Sequence, residues 1–178
     1  GLIALKLKDG DSLWAVRAST GKDNVALATR NGQAIHFLES DIRPMGRTAA
    51  GVRAIKLKGD DIVVGMDVIL AKIKKGEYQL MVIMRNGYGK RTDLTEYKVQ
   101  GRGGSGIKTA NVTAKTGDIV AGRVVKGKDE RDLLVMSEGG QVIRTSLSSV
   151  SVLGRATQGV RVMSFKKEKD KVASVTLV

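Results

Sequence analysis

The chain has 178 residues and is 42% hydrophobic, a composition that excludes an intrinsically disordered protein. It contains no cysteine, which excludes disulfides and cysteine-ligated zinc and favours a reducing compartment, and no apolar run approaches the ~20 residues that span a bilayer. The formal net charge is +13, and 14 of the 31 basic residues lie in three windows without an acidic residue: 42–59, 97–117 and 139–167. Because basic residues cluster in this way, we expect them to face a polyanion.

The first residues look like the back half of a repeat. Residues 1–16 (GLIALKLKDGDSLWAV) align without a gap with residues 51–66 (GVRAIKLKGDDIVVGM) and share six identical residues with them. Self-similarity at a fixed period is the signature of repeat architectures. We therefore predict a partial blade over residues 1–22.

Three β-hairpins follow at regular intervals. In each, two apolar or alternating stretches flank a turn that contains Asn31-Gly32, Asn86-Gly87 or Gly139-Gly140. These dipeptides supply the positive φ angles that tight hairpin turns require. The predicted strand pairs are residues 25–29 with 33–38, 80–84 with 88–92, and 133–137 with 141–146.

After each hairpin comes a connector and then the motif G-R-x-x-x-G-[VI]-[RK]. The three copies are GRTAAGVR, GRGGSGIK and GRATQGVR, which begin at positions 46, 101 and 154 and are therefore spaced 55 and 53 residues apart. A third strand is predicted to leave each motif, over residues 52–58, 107–113 and 160–166. Ile55 and Leu57 alternate with Lys56 and Lys58, as expected for a strand with one buried and one solvated face.

A fourth strand is predicted to begin at an aspartate in each repeat, where Asp suits a turn: Asp61 to Leu70, Asp118 to Val125 and Asp170 to Val178. No segment shows a sustained period of 3.6, so we expect an all-β chain. Repeats of four strands at 40–55 residues are typical of propeller-like blades around an axis. The predicted full blades cover residues 23–75, 76–128 and 129–178.

Equivalent loops of such blades fall at equivalent positions on the perimeter, so the motifs would form a ribbon of positive charge. We expect the motif glycines to build the blade corners: Gly46, Gly51, Gly101, Gly106, Gly154 and Gly159. A corner does not need a guanidinium, so we expect Arg47, Arg102 and Arg155 to contact phosphates as a set. The other candidate DNA-binding residues are Arg43, Arg53, Lys56, Lys58, Arg91, Lys108, Arg144, Arg161 and Lys166.

Other chemistries find little support in the sequence. The stretch GRGGSG at 101–106 lacks the G-K-[ST] ending of a phosphate-binding loop, and a strand rather than a helix follows it. The single histidine, His36, is equivalent in the repeat to Arg91 and Arg144, and we interpret it as a polyanion contact or a surface residue. There is no catalytic triad and no cluster of metal ligands. Trp14 and Tyr78 stand apart from any aromatic series, which favours contact with the duplex backbone over base stacking.

The repeat resembles the C-terminal domain of the DNA gyrase A protein and that of its paralogue in topoisomerase IV. The resemblance covers essentially the whole chain and rests on stretches such as DIRPMGRTAAGVRAIKLKGDDIVVG, TEYKVQGRGGSGIKTANV and GRATQGVRVMSF. It implies a β-pinwheel with strands exchanged between blades, of which about three and a half blades would be present. It also implies a basic perimeter that wraps double-stranded DNA for a bacterial type II topoisomerase that introduces negative supercoils.

The same resemblance places the reaction outside this chain. The cleavage tyrosine would lie in the rest of gyrase A, and the ATPase would lie in gyrase B. Both of these proteins are expected partners, no ATP or Mg²⁺ is expected here, and a cytoplasmic location on the chromosome is implied. The family's signature box, Q-R-R-G-G-K-G, is matched only by QGRGGSG at 100–106, with Gly101 for an Arg and Ser105 for the Lys. The choice between gyrase and topoisomerase IV therefore stays open.

Two other functions would fit a ring of blades. A protein-binding propeller of the WD-repeat type would carry G-H and W-D dipeptides in each blade, and none recurs here; a chromosome-condensation-regulator module is a related option. A stand-alone ring that binds RNA or the nucleoid would differ by the absence of an attached topoisomerase core.

Overall fold

A computed structural model of the protein describes residues 1–69 and 72–178, and its eleven strands form three antiparallel sheets. The strands are β1 (Asn24–Thr29), β2 (Gln33–Leu38), β3 (Val63–Ile69), β4 (Tyr78–Met84), β5 (Tyr88–Asp93), β6 (Ile107–Lys108), β7 (Ile119–Lys126), β8 (Asp132–Ser137), β9 (Val142–Ser146), β10 (Val160–Arg161) and β11 (Val172–Leu177). Single 3-10 turns occupy the connectors at Glu39–Asp41, Leu94–Glu96 and Leu147–Ser149. The predicted all-β architecture is confirmed, and no helix in these ranges could cross a bilayer.

The three predicted hairpins are present as β1–β2, β4–β5 and β8–β9. Their first strands carry much of the core because both faces are covered. Residues 79–84 of β4, for example, are all buried. The predicted fourth strands are also present, as β3, β7 and β11, each paired with the first strand of its own hairpin. Leu70, the predicted end of the first of these strands, lies outside the described residues.

The fourth strands lie at the centre of the assembly of sheets. Strand β3 contacts β7, and β7 contacts β11. The backbones of Gly65 and Gly122 meet closely there, because a Cβ on Gly65 would lie 2.2 Å from the carbonyl oxygen of Gly122. These inner strands therefore bring neighbouring sheets together, and the hairpins extend outward from them.

The outermost strand of each complete sheet comes from the next repeat. Strand β6 pairs with β2, and β10 pairs with β5, which gives the sheet orders β3-β1-β2-β6 and β10-β5-β4-β7. Both added strands begin directly after the second motif glycine, so the motif lies on the outer edge of the preceding sheet. The third sheet, β11-β8-β9, has three strands, and no strand of the described ranges pairs with the outer edge of β9.

The third strands are shorter than the sequence pattern predicts. In the second and third repeats, only two residues of this strand pair with the preceding sheet. Residues 1–16 and 52–58 contain no regular strand. Residues 1–22 contain no hairpin of a preceding repeat with which residues 52–58 could pair. The apolar alternation is nevertheless used, because Ile55 is buried against Val25 and Phe37. Beyond the paired residues the backbone turns to the following motif, as when the Lys56 amide donates to the carbonyl of Gly104 (2.8 Å).

The second glycine of the motif is required wherever a preceding sheet exists. Gly106 and Gly159 have φ angles of +70° and +79°. A Cβ at these positions would lie 2.6 Å from the carbonyl oxygen of Ala34 and 2.5 Å from that of Gly89, respectively. The first glycine is different, because a Cβ on Gly46, Gly101 or Gly154 would meet no atom of the protein closer than 3.9 Å. The predicted structural role therefore fits the second glycine of the motif and not the first.

We expect Gly106→Ala and Gly159→Ala each to lower the free energy of unfolding by about 2–4 kcal/mol, because the new methyl group meets a carbonyl and φ is positive. Gly51→Ala is the matched control. Its φ is +80°, but no atom lies within 4 Å of the added Cβ, so a cost of about 1 kcal/mol is expected. Urea unfolding of the three variants measures the difference, and equal losses would contradict the proposed packing.

Candidate nucleic-acid interface

The basic motif residues lie together along the outer edge of the sheets, in three segments that we call the outer rim: residues 46–58, 101–113 and 154–166. The sheet pairing explains this placement for the second and third segments, since the second half of each of these motifs is the outermost strand. Residues 46–58 instead join the second motif through backbone hydrogen bonds of Ala54 and Lys56. Several predicted DNA-binding side chains are exposed there or directly beside it: Arg43, Arg47, Arg53, Lys56, Lys58, Arg102, Lys108, Arg161 and Lys166. Each of the three rim segments therefore exposes cations to solvent.

The last cation of the second and of the third motif projects from the outermost strand. Lys108 lies opposite Gln33 in the sheet, and Arg161 lies opposite Tyr88. The Arg161 guanidinium is 4.7 Å from the centroid of the Tyr88 ring, and its Nη2 donates to the tyrosine hydroxyl (2.9 Å). Lys115 lies over the same ring at 5.7 Å. Cation–π contact of this kind holds the guanidinium in place without neutralising its charge.

The motif arginines themselves are bonded within the protein. Arg102 donates from Nε to the carbonyl of Asp41 (2.8 Å) and from Nη1 to the carbonyl of Arg53 (3.3 Å). Arg155 donates from Nη1 to the carbonyl of Lys108 (3.1 Å). Arg47 makes no side-chain hydrogen bond or ion pair within residues 1–69 and 72–178. Two of the three motif arginines thus bind backbone carbonyls at the corner. Each guanidinium keeps further N–H groups, and the phosphate contact stays a prediction.

Three equivalent positions on the second hairpin strand, His36, Arg91 and Arg144, have different environments. His36 is buried, and its Nδ1 donates to the carbonyl of Tyr97 (2.9 Å). Arg91 is also buried, and its Nε donates to the carbonyl of Val150 (2.7 Å). Both therefore bind the connector of the next repeat, and burial lowers the pKa of Arg91.

The prediction that His36 and Arg91 meet a polyanion is corrected accordingly, because neither side chain is accessible to one. Arg144 has no following connector beside it. It is exposed and forms an ion pair with Asp132 at 2.7 Å. The same sequence position thus serves the fold or faces solvent, according to whether a further repeat packs against it.

Lys90 is a further candidate residue that the repeated motif does not include. It is fully buried on β5, and its Nζ donates to the carbonyls of Gly154 (2.6 Å) and Arg155 (2.5 Å) and to the hydroxyl of Thr157 (3.1 Å). Burial lowers the pKa of Lys90 to about 8, with Glu96 acting in the opposite direction. In the sequence, this residue stands out only because the other two repeats carry Ile35 and Ile143 at the equivalent positions.

The recurring aspartates organise turns, as their residue type predicts. Asp61 accepts from the Asn31 amide (2.9 Å), and Asp170 accepts from the Gly139 amide (2.9 Å), so each carboxylate fixes the hairpin turn of its own repeat. Asp118 instead binds the Arg85 guanidinium at 2.6 Å. In the part of the chain that the structure describes, no group of three His, Asp or Glu residues is placed to hold a metal ion.

Comparison with known proteins agrees with this geometry. The family model described as "DNA gyrase C-terminal domain, beta-propeller" matches residues 23–70, 79–126 and 131–178. The gyrase A protein of Staphylococcus epidermidis (strain ATCC 12228 / FDA PCI 1200) is 45% identical over 163 residues, which are 92% of this chain and 18% of that protein. The chain thus spans less than a fifth of the length of this curated relative.

Two solved structures share the fold over nearly the whole chain. The structure of a DNA gyrase A C-terminal domain superposes with a TM-score of 0.83 and 26% identity, covering 99% of this chain and 58% of the other. The C-terminal domain of a DNA topoisomerase IV gives a TM-score of 0.86 and 25% identity, covering 98% and 52%.

We expect Lys90→Met to lower the free energy of unfolding by about 1–3 kcal/mol, because the carbonyls of Gly154 and Arg155 lose their buried donor while the side-chain volume is kept. Lys126→Met, which replaces an exposed lysine on β7, is the control and should change stability by less than about 0.5 kcal/mol. Urea unfolding measures both. A neutral or stabilising Lys90→Met would show that the lysine does not hold the third motif.

A pH dependence follows from the same residue. The pKa of Lys90 is about 8 in the folded chain against an ordinary 10.5, so between these values the unfolded state binds the proton that the folded state has released. The free energy of unfolding of the wild type should therefore rise with pH between about 8 and 10.5, relative to Lys90→Met. Parallel stability curves of the two proteins from pH 7 to 10.5 would contradict this assignment.

Proposed function

Since the chain belongs to the DNA gyrase C-terminal domain family, we propose that its outer rim binds and bends double-stranded DNA for a bacterial type II topoisomerase. The observation that carries the proposal is the exposed cation series on one edge of the sheets. It comprises Arg53, Lys108 and Arg161 at equivalent positions, with Lys56, Lys58 and Lys166 farther along the same segments. The sequence windows around the motifs contain no acidic residue, so no carboxylate of these windows competes for the cations.

The chemistry of the rim suits a phosphate backbone and not a base sequence. Lysine and arginine on short strands and loops reach phosphate oxygens, and counterion release then supplies affinity without sequence preference. The rim carries no row of exposed aromatic rings that could stack on bases, since Tyr88 is buried under Arg161. Duplex DNA is therefore the ligand that the rim fits best.

Bending follows from the arrangement of successive sheets around the inner strands. A duplex that touches the rim of one sheet and then the next must follow the turn between them. Smooth bending of 20–30 bp by 40–90° costs about 1–6 kcal/mol, which several phosphate contacts can offset. We propose that this bending wraps DNA toward the strand-passage gate and so favours negative supercoils.

The reaction itself we assign to other parts of the enzyme. The proposed partners are the rest of gyrase A, together with gyrase B, which would supply strand cleavage and the use of ATP with Mg²⁺. Within this assignment the present chain binds DNA without chemistry of its own, in the bacterial cytoplasm and on the chromosome.

We expect this chain to bind a linear duplex of ~60 bp more tightly than one of ~20 bp, with log K falling steeply against log salt. Replacing Arg53, Lys108 and Arg161 together by Gln should reduce the magnitude of that slope by about 3, since each phosphate contact contributes about 0.9. Fluorescence anisotropy across a salt series measures both effects.

A control of equal charge uses exposed lysines away from the rim. Replacing Lys72, Lys126 and Lys128 together by Gln also removes three charges, but we expect the slope to change by less than about 1. Equal effects of the two triple variants would mean that the overall charge, and not the rim, binds DNA. Weak binding with a flat salt dependence in the wild type would overturn the proposed function.

A further inference from the structure

We propose that the arginine of the G-R-x-x-x-G motif is a positioning residue that ties each motif to the one before it and so fixes the spacing of the phosphate contacts along the rim. This inference rests on the proposed function for its DNA consequence, and on contacts within the protein for the tie itself. On this proposal, the arginine at the second motif position holds neighbouring blades together, and the last cation of the motif faces the ligand.

The same contact occurs at both junctions between two complete motifs. At the junction of residues 1–8 with the first motif, where the Lys6 amide donates to the carbonyl of Ala49 (3.4 Å), Arg47 makes no such contact with the described residues. Arg102 donates to the carbonyl of Arg53, and Arg155 donates to the carbonyl of Lys108. Arg53 and Lys108 occupy the same place, the last cation of the preceding motif. Each motif arginine therefore holds the backbone of the residue whose side chain projects toward the proposed DNA. A contact repeated at equivalent positions is a property of the repeat and not an accident of one loop.

Backbone hydrogen bonds join the same segments beside each arginine. At the first junction the Gly103 amide donates to the carbonyl of Ala54 (2.6 Å), and the Lys56 amide donates to the carbonyl of Gly104 (2.8 Å). At the second junction the Asn111 amide donates to the carbonyl of Thr157 (3.0 Å). The guanidinium thus reinforces a junction of a few bonds at the exposed edge, where water would otherwise compete for the carbonyls.

The chemistry of the guanidinium suits this task. Its planar set of five N–H donors can reach carbonyls in two directions, whereas an ammonium is a point charge on a flexible stem. Arg102 uses this property, because its Nε and Nη1 bind carbonyls of two different segments, at Asp41 and Arg53. Exchange of arginine for lysine therefore keeps the charge but weakens the tie.

Fixed spacing matters because a bent duplex tends to straighten. The elastic cost of the bend is offset only while successive contacts stay at the positions that the curve requires. A loose junction between blades would let the same cations bind straighter DNA. The tie therefore controls the bend angle, while the side chains of Arg53, Lys108 and Arg161 control the affinity.

The chain contains its own control for these statements. Arg47 has the same motif position and the same charge, but makes no side-chain hydrogen bond or ion pair within residues 1–69 and 72–178. If the motif arginines act mainly as phosphate contacts, the three copies should respond alike to substitution. If they act as ties, Arg47 should differ from the other two.

The first test is hydrogen–deuterium exchange on the free protein with single arginine-to-lysine variants. Arg102→Lys should accelerate exchange of the Lys56 amide by about tenfold and leave the Asn111 amide unchanged; Arg155→Lys should do the reverse. Arg47→Lys should change neither. The local pattern separates a tie from general destabilisation, and an unchanged pattern in the first two variants would overturn the inference.

The second test measures the bend in a ~60 bp duplex labelled at both ends, by resonance energy transfer. Arg102→Lys combined with Arg155→Lys should lower the transfer efficiency while the slope of log K against log salt stays within about 0.5 of the wild type, because no charge is lost. Wild-type transfer efficiency in this double variant would overturn the inference. If the wild type does not bind DNA at all, the proposed function fails, and the exchange pattern decides the tie independently.

Discussion

The structure depends on the need to pair the outer backbone edges of β2 and β5. An open strand edge exposes a row of amide and carbonyl groups that favour pairing with any available chain. Here each edge is covered by residues of the next repeat, β6 on β2 and β10 on β5. The motif that carries the cations lies on the perimeter because it also closes the neighbouring sheet. The motif thus both places the cations on the perimeter and completes the neighbouring sheet, which explains why it recurs with the repeat.

The same arrangement brings positive charge into the protein interior. Arg91 and Lys90 on β5 donate only to oxygen atoms of the connector and motif that follow, and His36 on β2 makes the equivalent contact one repeat earlier. A buried cation with well-placed acceptors is costly to remove, since its partners then lose their donors. Net charge therefore overstates the charge available to a ligand, and the residues that matter for binding are those whose side chains lie beyond the outermost strand.

Local patterns in the sequence predict the hairpins, the inner strands and the position of the motif on the perimeter. These patterns are Asn-Gly turns, apolar runs and a fixed period. They do not predict the burial of His36 and Arg91, because these positions look like Arg144 in the sequence and differ only in having a later repeat packed beside them. The length of the third strands could not be predicted from local patterns either. Their alternation is real, and Ile55 is buried as it predicts, yet the backbone partner of each residue is set by contacts in the neighbouring repeat.

Strand exchange between repeats has an evolutionary consequence. Because β6 and β10 complete the sheets of the preceding repeats, a duplication or deletion of one full period leaves the outer edges of those sheets matched, whereas loss of part of a period leaves an edge open. The spacings of 55 and 53 residues between motifs then define the step by which recombination can lengthen or shorten such an array. Arrays of this kind therefore change in length by whole periods.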